Sequence, residues 1–363
     1  MGSSCSGHSD VKQSRRIQPI DAGFGAGKAF MKRELKELAG KKKTKANLKA
    51  WKNMFGEYIM DYNRADLSFR RNPEKFRKLC AKGIPTKYRW EVWMALLEVN
   101  DLLSEDRYFQ YLDEVGEIDE ENDQTMRQII LDVNRSFTWH PYFDKNVNKE
   151  GLIKLKRCLE AYSAYNPKIG YTQGMNYIMG FLLLISGGKE VEAFWFFVSL
   201  TEGRSGTFYP GIEQLYTEGF PLYYQYVEVF DEMFEEEIPD LKAYFDSLDF
   251  RGPIWLQKWF ITMFLYSFPL AYCVRIWDNI FSEGPIFIFK MILSVISDLK
   301  SELLKCDLEQ LNSIISGFNS GKNCNTMEKN ASMLSSVERL IESARSISVT
   351  LPDLNTTKSE IEE

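Results

Sequence analysis

Histidine is nearly absent from this chain of 363 residues, occurring only as His8 and His140. Catalytic sets that need an imidazole base therefore depend almost wholly on His140, and neither a G-x-S-x-G nor an H-E-x-x-H pattern is present. A hydrolase with its own nucleophile and base has little to work with. The six cysteines, at positions 5, 80, 158, 273, 306 and 324, fall in no C-x-x-C or Cys/His spacing, and no secretory signal is evident. They suggest reduced thiols in a cytosolic protein. Long apolar runs are missing too. The longest, Tyr177 to Ile185, is roughly half of the ~20 residues a membrane span needs, so a soluble chain is expected. Alternating patterns are scarce, since Ile347 to Leu351 has no partner with a hairpin signal, and no repeat of fixed period is found.

Charge of one sign is not in excess overall, with a formal net of −6, which argues against a protein built to bind nucleic acid. Its distribution is uneven. Residues 1–50 hold twelve Lys or Arg against four Asp or Glu, a net of +8, which leaves −14 for the remainder. A basic arm precedes an acidic body.

The chain opens with Met1-Gly2-Ser3-Ser4-Cys5-Ser6, the pattern for myristoylation at Gly2. One acyl chain anchors only marginally, but palmitate on Cys5 or the lysines at 41, 42, 43, 45 and 49 could supply a second hold on a membrane. The same residues also fit a plain flexible start followed by a solvated lysine face, so peripheral membrane attachment stays one of two readings. Gly23 to Ala29 superficially suggests a phosphate-binding loop, but three residues separate Gly23 from Gly27 and Ala29 has no hydroxyl to hold magnesium. A linker is expected there.

From Ala46 onward helical spacing takes over, with Leu48, Trp51, Met54, Phe55 and Tyr58 on one face. Thr86 is placed to cap a helix carrying Tyr88, Val92, Trp93 and Leu96. Glu114 to Asp123 suggests a solvated loop, Val191 to Leu200 a helix buried all round, and Ile254 to Tyr266 a further helix. Beyond Pro285, Phe289, Ile292, Leu293, Ile296, Leu299 and Leu303 face inward, while Lys290, Ser294, Asp298, Ser301 and Lys305 face out. The expected organisation is a basic flexible arm over 1–47, an all-α domain over 48–310, and a Ser/Asn-rich, acidic, largely mobile tail over 311–363. Within that tail one short helix is expected, near Val337 to Ala344.

Two motifs carry the candidate chemistry. Ile129, Asp132 and Arg135 lie at helical spacing, so Asp132 can orient the Arg135 guanidinium. Tyr171, Gln173 and Gly174 then precede a strongly apolar helix. An isolated Asp-x-x-Arg is usually a surface ion pair and an isolated Gln-Gly merely opens a helix.

Together and in this order, however, they resemble the I-x-x-D-x-x-R and Y-x-Q-G motifs of the TBC domain of Rab GTPase-activating proteins. Gly83, Ile84, Pro85, Arg89 and Trp93 match that family's opening block. Pro253-Ile254-Trp255, Trp259-Phe260, Phe268-Pro269 and Arg275-Ile276-Trp277-Asp278 through Gly284 match its later ones. One departure is Ser136-Phe137-Thr138, where many members have Thr-Phe-Pro. The resemblance implies a single, V-shaped, all-helical domain that activates a GTP-bound Rab-family small GTPase in vesicle trafficking. Arg135 and Gln173 would be fingers supplied in trans, with Asp132, Tyr171 and Gly174 supporting them. GTP and Mg2+ would come with the partner, the chain having no cofactor and no hydrolase activity of its own. The location implied is cytoplasmic, on the cytosolic face of a membrane if the arm is lipidated. The alternative is a non-catalytic Rab-binding scaffold. Arg89 and Arg275 could serve either the core or a partner.

Overall fold

The computed structural model of the protein describes residues 45–55, 71–116, 123–146, 149–203, 209–318, 330 and 332–349. Gly2, Cys5, the segment from Gly23 to Ala29, the lysines at 41–43 and Tyr58 lie outside them. Among the described residues every regular element is helical, which agrees with the all-α class expected from sequence. None of these helices is long and apolar enough to cross a membrane.

Trp51 of α1 (Lys45–Phe55) is fully buried and meets Phe76 of α2 (Pro73–Ala81) edge to face at 5.8 Å. Gly83 turns the chain at φ 93° into α3 (Thr86–Leu96), which buries Tyr88, Val92, Trp93 and Leu96. Thr86 is the first residue of the helix and not its cap. Pro85 holds the cap position in its place, its fixed φ already suited to helix entry. The acidic stretch begins within α4 (Glu105–Val115) and ends at Asp123, whose carboxylate caps α5 (Gln124–Arg135) by accepting from the Met126 N–H. The apolar helices α6 (Glu150–Tyr165), α7 (Met175–Ser186) and α8 (Glu190–Glu202) pack on one another, with α4 against α6 and α5 against both α6 and α7. Helix α7 is buried on every side.

The second half comprises α9 (Pro221–Glu237), α10 (Pro239–Ser247), α11 (Gly252–Trp255), α12 (Gln257–Ile261), α13 (Leu270–Glu283), α14 (Ile286–Asp298), α15 (Lys300–Leu303), α16 (Leu308–Ile315) and α17 (Val337–Ser346). The continuous helix expected over Ile254 to Tyr266 is interrupted at Leu256, between α11 and α12, and ends at Ile261, beyond which Met263 (φ 46°) and Phe264 (φ 72°) are left-handed. Trp255, Trp259, Phe260, Met263 and Phe264 are all buried, more than one face of a straight helix can cover. The turn is pinned by the Trp277 indole N–H, which donates to the Met263 carbonyl at 3.0 Å.

Asp278 of α13 is a buried hub. Its carboxylate accepts from Arg89 Nε (2.9 Å), the Trp93 indole (3.1 Å), the Ile84 N–H (3.2 Å) and Arg275 (2.9 Å). Arg275 also reaches the Ala81 carbonyl and Glu338 of α17. Both arginines are thus core residues that lock the start of the domain to α13. Helix α17 falls in the stretch expected to be largely mobile, yet Leu340, Ile341 and Ala344 are buried against α13 and α14. Ser294, expected to face solvent, is covered by α17 and donates to the Leu340 carbonyl at 2.8 Å. Asp298 likewise accepts from Ser335. The apolar stripe of α17 spans little more than two turns, so the polar composition around it conceals its role.

Candidate functional site

Helix α5 buries Met126, Ile129, Asp132 and Val133, a stripe at three- and four-residue spacing that carries Asp132 into the interior along with its apolar neighbours. A fully buried carboxylate requires partners. One oxygen accepts from Arg135 Nε at 2.7 Å, and the other accepts from the Tyr171 hydroxyl at 2.7 Å. The guanidinium is thereby oriented from its protein side while its side chain remains 57% exposed. Arg135 is also the last residue of α5, where the unpaired carbonyls of the helix end favour a cation.

The helix stops there for a local reason. Ser136 is extended and Phe137 is left-handed at φ 47°. The Phe137 ring is held by stacking on Phe143 at 5.3 Å and by close approach to Gly180 of α7, where an added Cβ would lie 2.6 Å from its Cε2. The strained backbone is therefore set by packing on α7. His140, fully buried, accepts from the Tyr142 N–H through Nδ1 and belongs to the same packed turn.

The second motif lies across from this end. Tyr171 is joined to Asp132 over a sequence separation of 39 residues. Burial first, and the bond to the Asp132 carboxylate second, push its hydroxyl well above the ordinary tyrosine range, so it stays a donor. Gly174 begins α7 with φ 117°, and an added Cβ would sit 2.6 Å from Ile261 Cγ2. Glycine is needed there both for its backbone angle and for the contact. Between them Gln173 is exposed, with no hydrogen bond to any described residue. Thr172 holds the loop from behind, its hydroxyl donating to the Tyr216 carbonyl at 3.1 Å.

Two groups inside the same stretch were not singled out from sequence. Asn176 bonds both Gly174 and Ser136 from within the buried start of α7. Tyr177 packs on Phe137 at 5.4 Å and Tyr266 at 5.2 Å. Its pKa is pushed up to about 12, first by burial and then by Tyr266, with Arg135 pulling the other way, so its phenol lies within the field of the guanidinium. An asparagine near the start of an apolar helix offers a weak sequence signal, and a tyrosine there offers none. Gly2 and Cys5 lie outside the described residues, so the lipidation reading has no structural counterpart.

The arrangement presents an oriented cation at the end of α5 and an exposed amide in the loop before α7, the two elements joined through Asp132 and Tyr171. Such a pair can stabilise charge and orient water on a phosphoryl group brought by another molecule. The sequence matches the Rab-GTPase-TBC domain over residues 86–304. It is 29% identical over 233 residues to growth hormone-regulated TBC protein 1 of Xenopus tropicalis, a match covering 64% of this chain and 65% of that protein. The chain spans under a third of the length of two further relatives, 29% and 28%. In structure it resembles the Chlamydomonas flagellar RabGAP TBC domain (TM-score 0.59, 22% identity, 80% of this chain and 95% of that one). It also resembles the Ypt/Rab-GAP domain of Gyp1p (TM-score 0.60, 17% identity, 83% and 97%).

Proposed function

Because this chain belongs to the Rab-GTPase-TBC domain family, we propose that it accelerates GTP hydrolysis by a Rab-type small GTPase, inserting Arg135 and Gln173 into the partner's active site. The observation that supports this most directly is the shared Asp132 carboxylate. It ties the arginine helix to the glutamine loop, and both Arg135 and Gln173 are left facing solvent.

In phosphoryl transfer, charge spreads over the γ-phosphoryl oxygens, and a planar guanidinium can stabilise it through two parallel bonds. Arg135 is suited to that task because Asp132 engages one edge of the guanidinium, through Nε and one terminal nitrogen, while the side chain stays 57% exposed. Gln173 can accept from the attacking water and donate to the phosphate, orienting the nucleophile without acting as a strong base. Tyr171 and Gly174 fix the loop from which it projects. GTP and magnesium arrive with the partner, whose own residues hold them.

The test is single-turnover hydrolysis across a panel of Rab GTPases loaded with GTP and magnesium. An arginine finger is worth about 10³ to 10⁵ in rate, roughly 4 to 7 kcal/mol. Arg135→Ala should lose an acceleration of that order. Arg135→Lys should rescue little of it, because lysine keeps the charge without the planar fork. If the wild-type chain binds Rab proteins yet accelerates none of them, it is a scaffold and the finger reading fails.

A further inference from the structure

We propose that Asn176 is a positioning residue that holds Gln173 in register with Arg135; this rests on the finger reading above. Asn176 is 1% exposed, and its side-chain amide is used at both ends. Its Oδ1 accepts from the Gly174 N–H at 3.0 Å, and its Nδ2 donates to Ser136 Oγ at 2.6 Å across a separation of 40 residues. The Ser136 hydroxyl passes the link on by donating to the Asp132 carbonyl at 2.6 Å. Gly174 immediately follows Gln173, and Ser136 immediately follows Arg135. Asn176 therefore ties the residue after one finger to the residue after the other.

The direction of the amide is set by its neighbours. The Gly174 N–H is a donor without alternative, so Oδ1 must face it and Nδ2 must face the serine. Nδ2 in turn fills a lone pair of Ser136 Oγ, freeing that hydroxyl's proton for the Asp132 carbonyl. Only a short side chain with a donor and an acceptor at one end can occupy this place. Capping α7 alone would need the acceptor half and no more. The donor half is spent on α5, and that is what marks a tie between motifs. The tie matters because Gln173 is exposed and makes no hydrogen bond among the described residues, so its direction depends on the backbone of Thr172 and Gly174.

The experiment uses the full chain with a responsive Rab GTPase loaded with GTP and magnesium, following single-turnover hydrolysis over a series of chain concentrations. Ser136→Ala removes the link outright, while Asn176→Asp keeps the acceptor for Gly174 and removes the donor to Ser136, so that any bond left between them must take the serine proton away from the Asp132 carbonyl. Each should lower the maximal rate about 10- to 100-fold, the scale of a misplaced catalytic group, and leave the half-saturating concentration within about twofold. Combined with Gln173→Ala, neither should slow the reaction beyond Gln173→Ala alone, because a positioning residue has nothing left to position. Gly174 amide exchange in the chain alone should also quicken in Ser136→Ala, a readout that needs no partner and keeps the test decisive if Asn176→Asp folds poorly.

Losses that multiply with Gln173→Ala, or that lie in the half-saturating concentration, would make Asn176 a fold residue and overturn the proposal. So would unchanged Gly174 exchange. If Gln173→Ala itself matches wild type, the finger reading fails first, and that outcome is distinct from a working Gln173 with an indifferent Asn176.

Discussion

Asp132 is an acid at zero exposure whose two oxygens are divided between a solvent-facing arginine and a partly buried tyrosine. Asp132→Asn would keep the volume and let the new amide face Tyr171, whose hydroxyl can accept as well as donate. Arg135 would retain a neutral acceptor and lose the charge. A charge-assisted bond is worth roughly 1.5 to 3 kcal/mol, so the variant should fold and lose about tenfold or more of its stimulated hydrolysis. Thermal unfolding beside single-turnover rates would separate this from simple destabilisation; an unfolded variant or a wild-type rate would contradict it. At this scale the sequence was legible where a residue's role depends on near neighbours. Asp132 and Arg135 sit three apart on one helix, and their pairing follows from spacing alone. Asn176 and Ser136 were opaque, because each draws its meaning from a partner 40 residues away. Tyr171 was marked by its motif, while its bond to the Asp132 carboxylate depends on how α5 lies against the loop before α7.

Among the elements, α5 and α17 make opposite cases. The strong one-sided pattern of α5 announced both the helix and its buried face, and the helix ends where Phe137 wedges against Gly180. Helix α17 has an equally one-sided pattern but sits in polar surroundings, so its docking could not be read without knowing that α14 leaves a face open to it. Leu340→Ala should cost about 2 to 5 kcal/mol if that docking is integral to the domain, measured as a shift in the urea midpoint. A shift under about 0.5 kcal/mol would mean α17 is an accessory. Asp278 joins the opening block, α3 and α13, and its loss would strand Arg89 as a buried cation and leave Arg275 with Glu338 alone. Asp278→Ala should therefore destabilise by about 3 to 5 kcal/mol or prevent folding. Soluble expression with an unchanged unfolding midpoint would refute that account. The break after Ile261 was hidden for a related reason: it is imposed by Trp277 and by the burial of five large side chains, a demand of the assembled core.

For the molecule as a whole, tyrosine burial sets a limit on alkaline stability. Tyr108, Tyr142, Tyr162, Tyr171, Tyr209, Tyr216, Tyr223 and Tyr226 are all held above the ordinary tyrosine range, with burial the leading cause in each. A pKa raised on folding contributes stability that is whole below the unfolded value of about 10 and is lost as pH rises through the folded values. Stability should be insensitive to these groups at neutral pH and fall steeply above about pH 10. Tyrosinate absorbance should show these tyrosines ionising together, in one step with unfolding. Independent, gradual titration of all the tyrosines would contradict this. The position of α17 after α13 and α14 in the chain sets the order in which the core is completed. A ribosome delivers α13 and α14 well before Glu338 and Leu340. Until the last described helix emerges, Arg275 lacks one of its two carboxylates and Ser294 faces water. The nascent domain must wait with an open seam, and completion of its core is coupled to the arrival of α17.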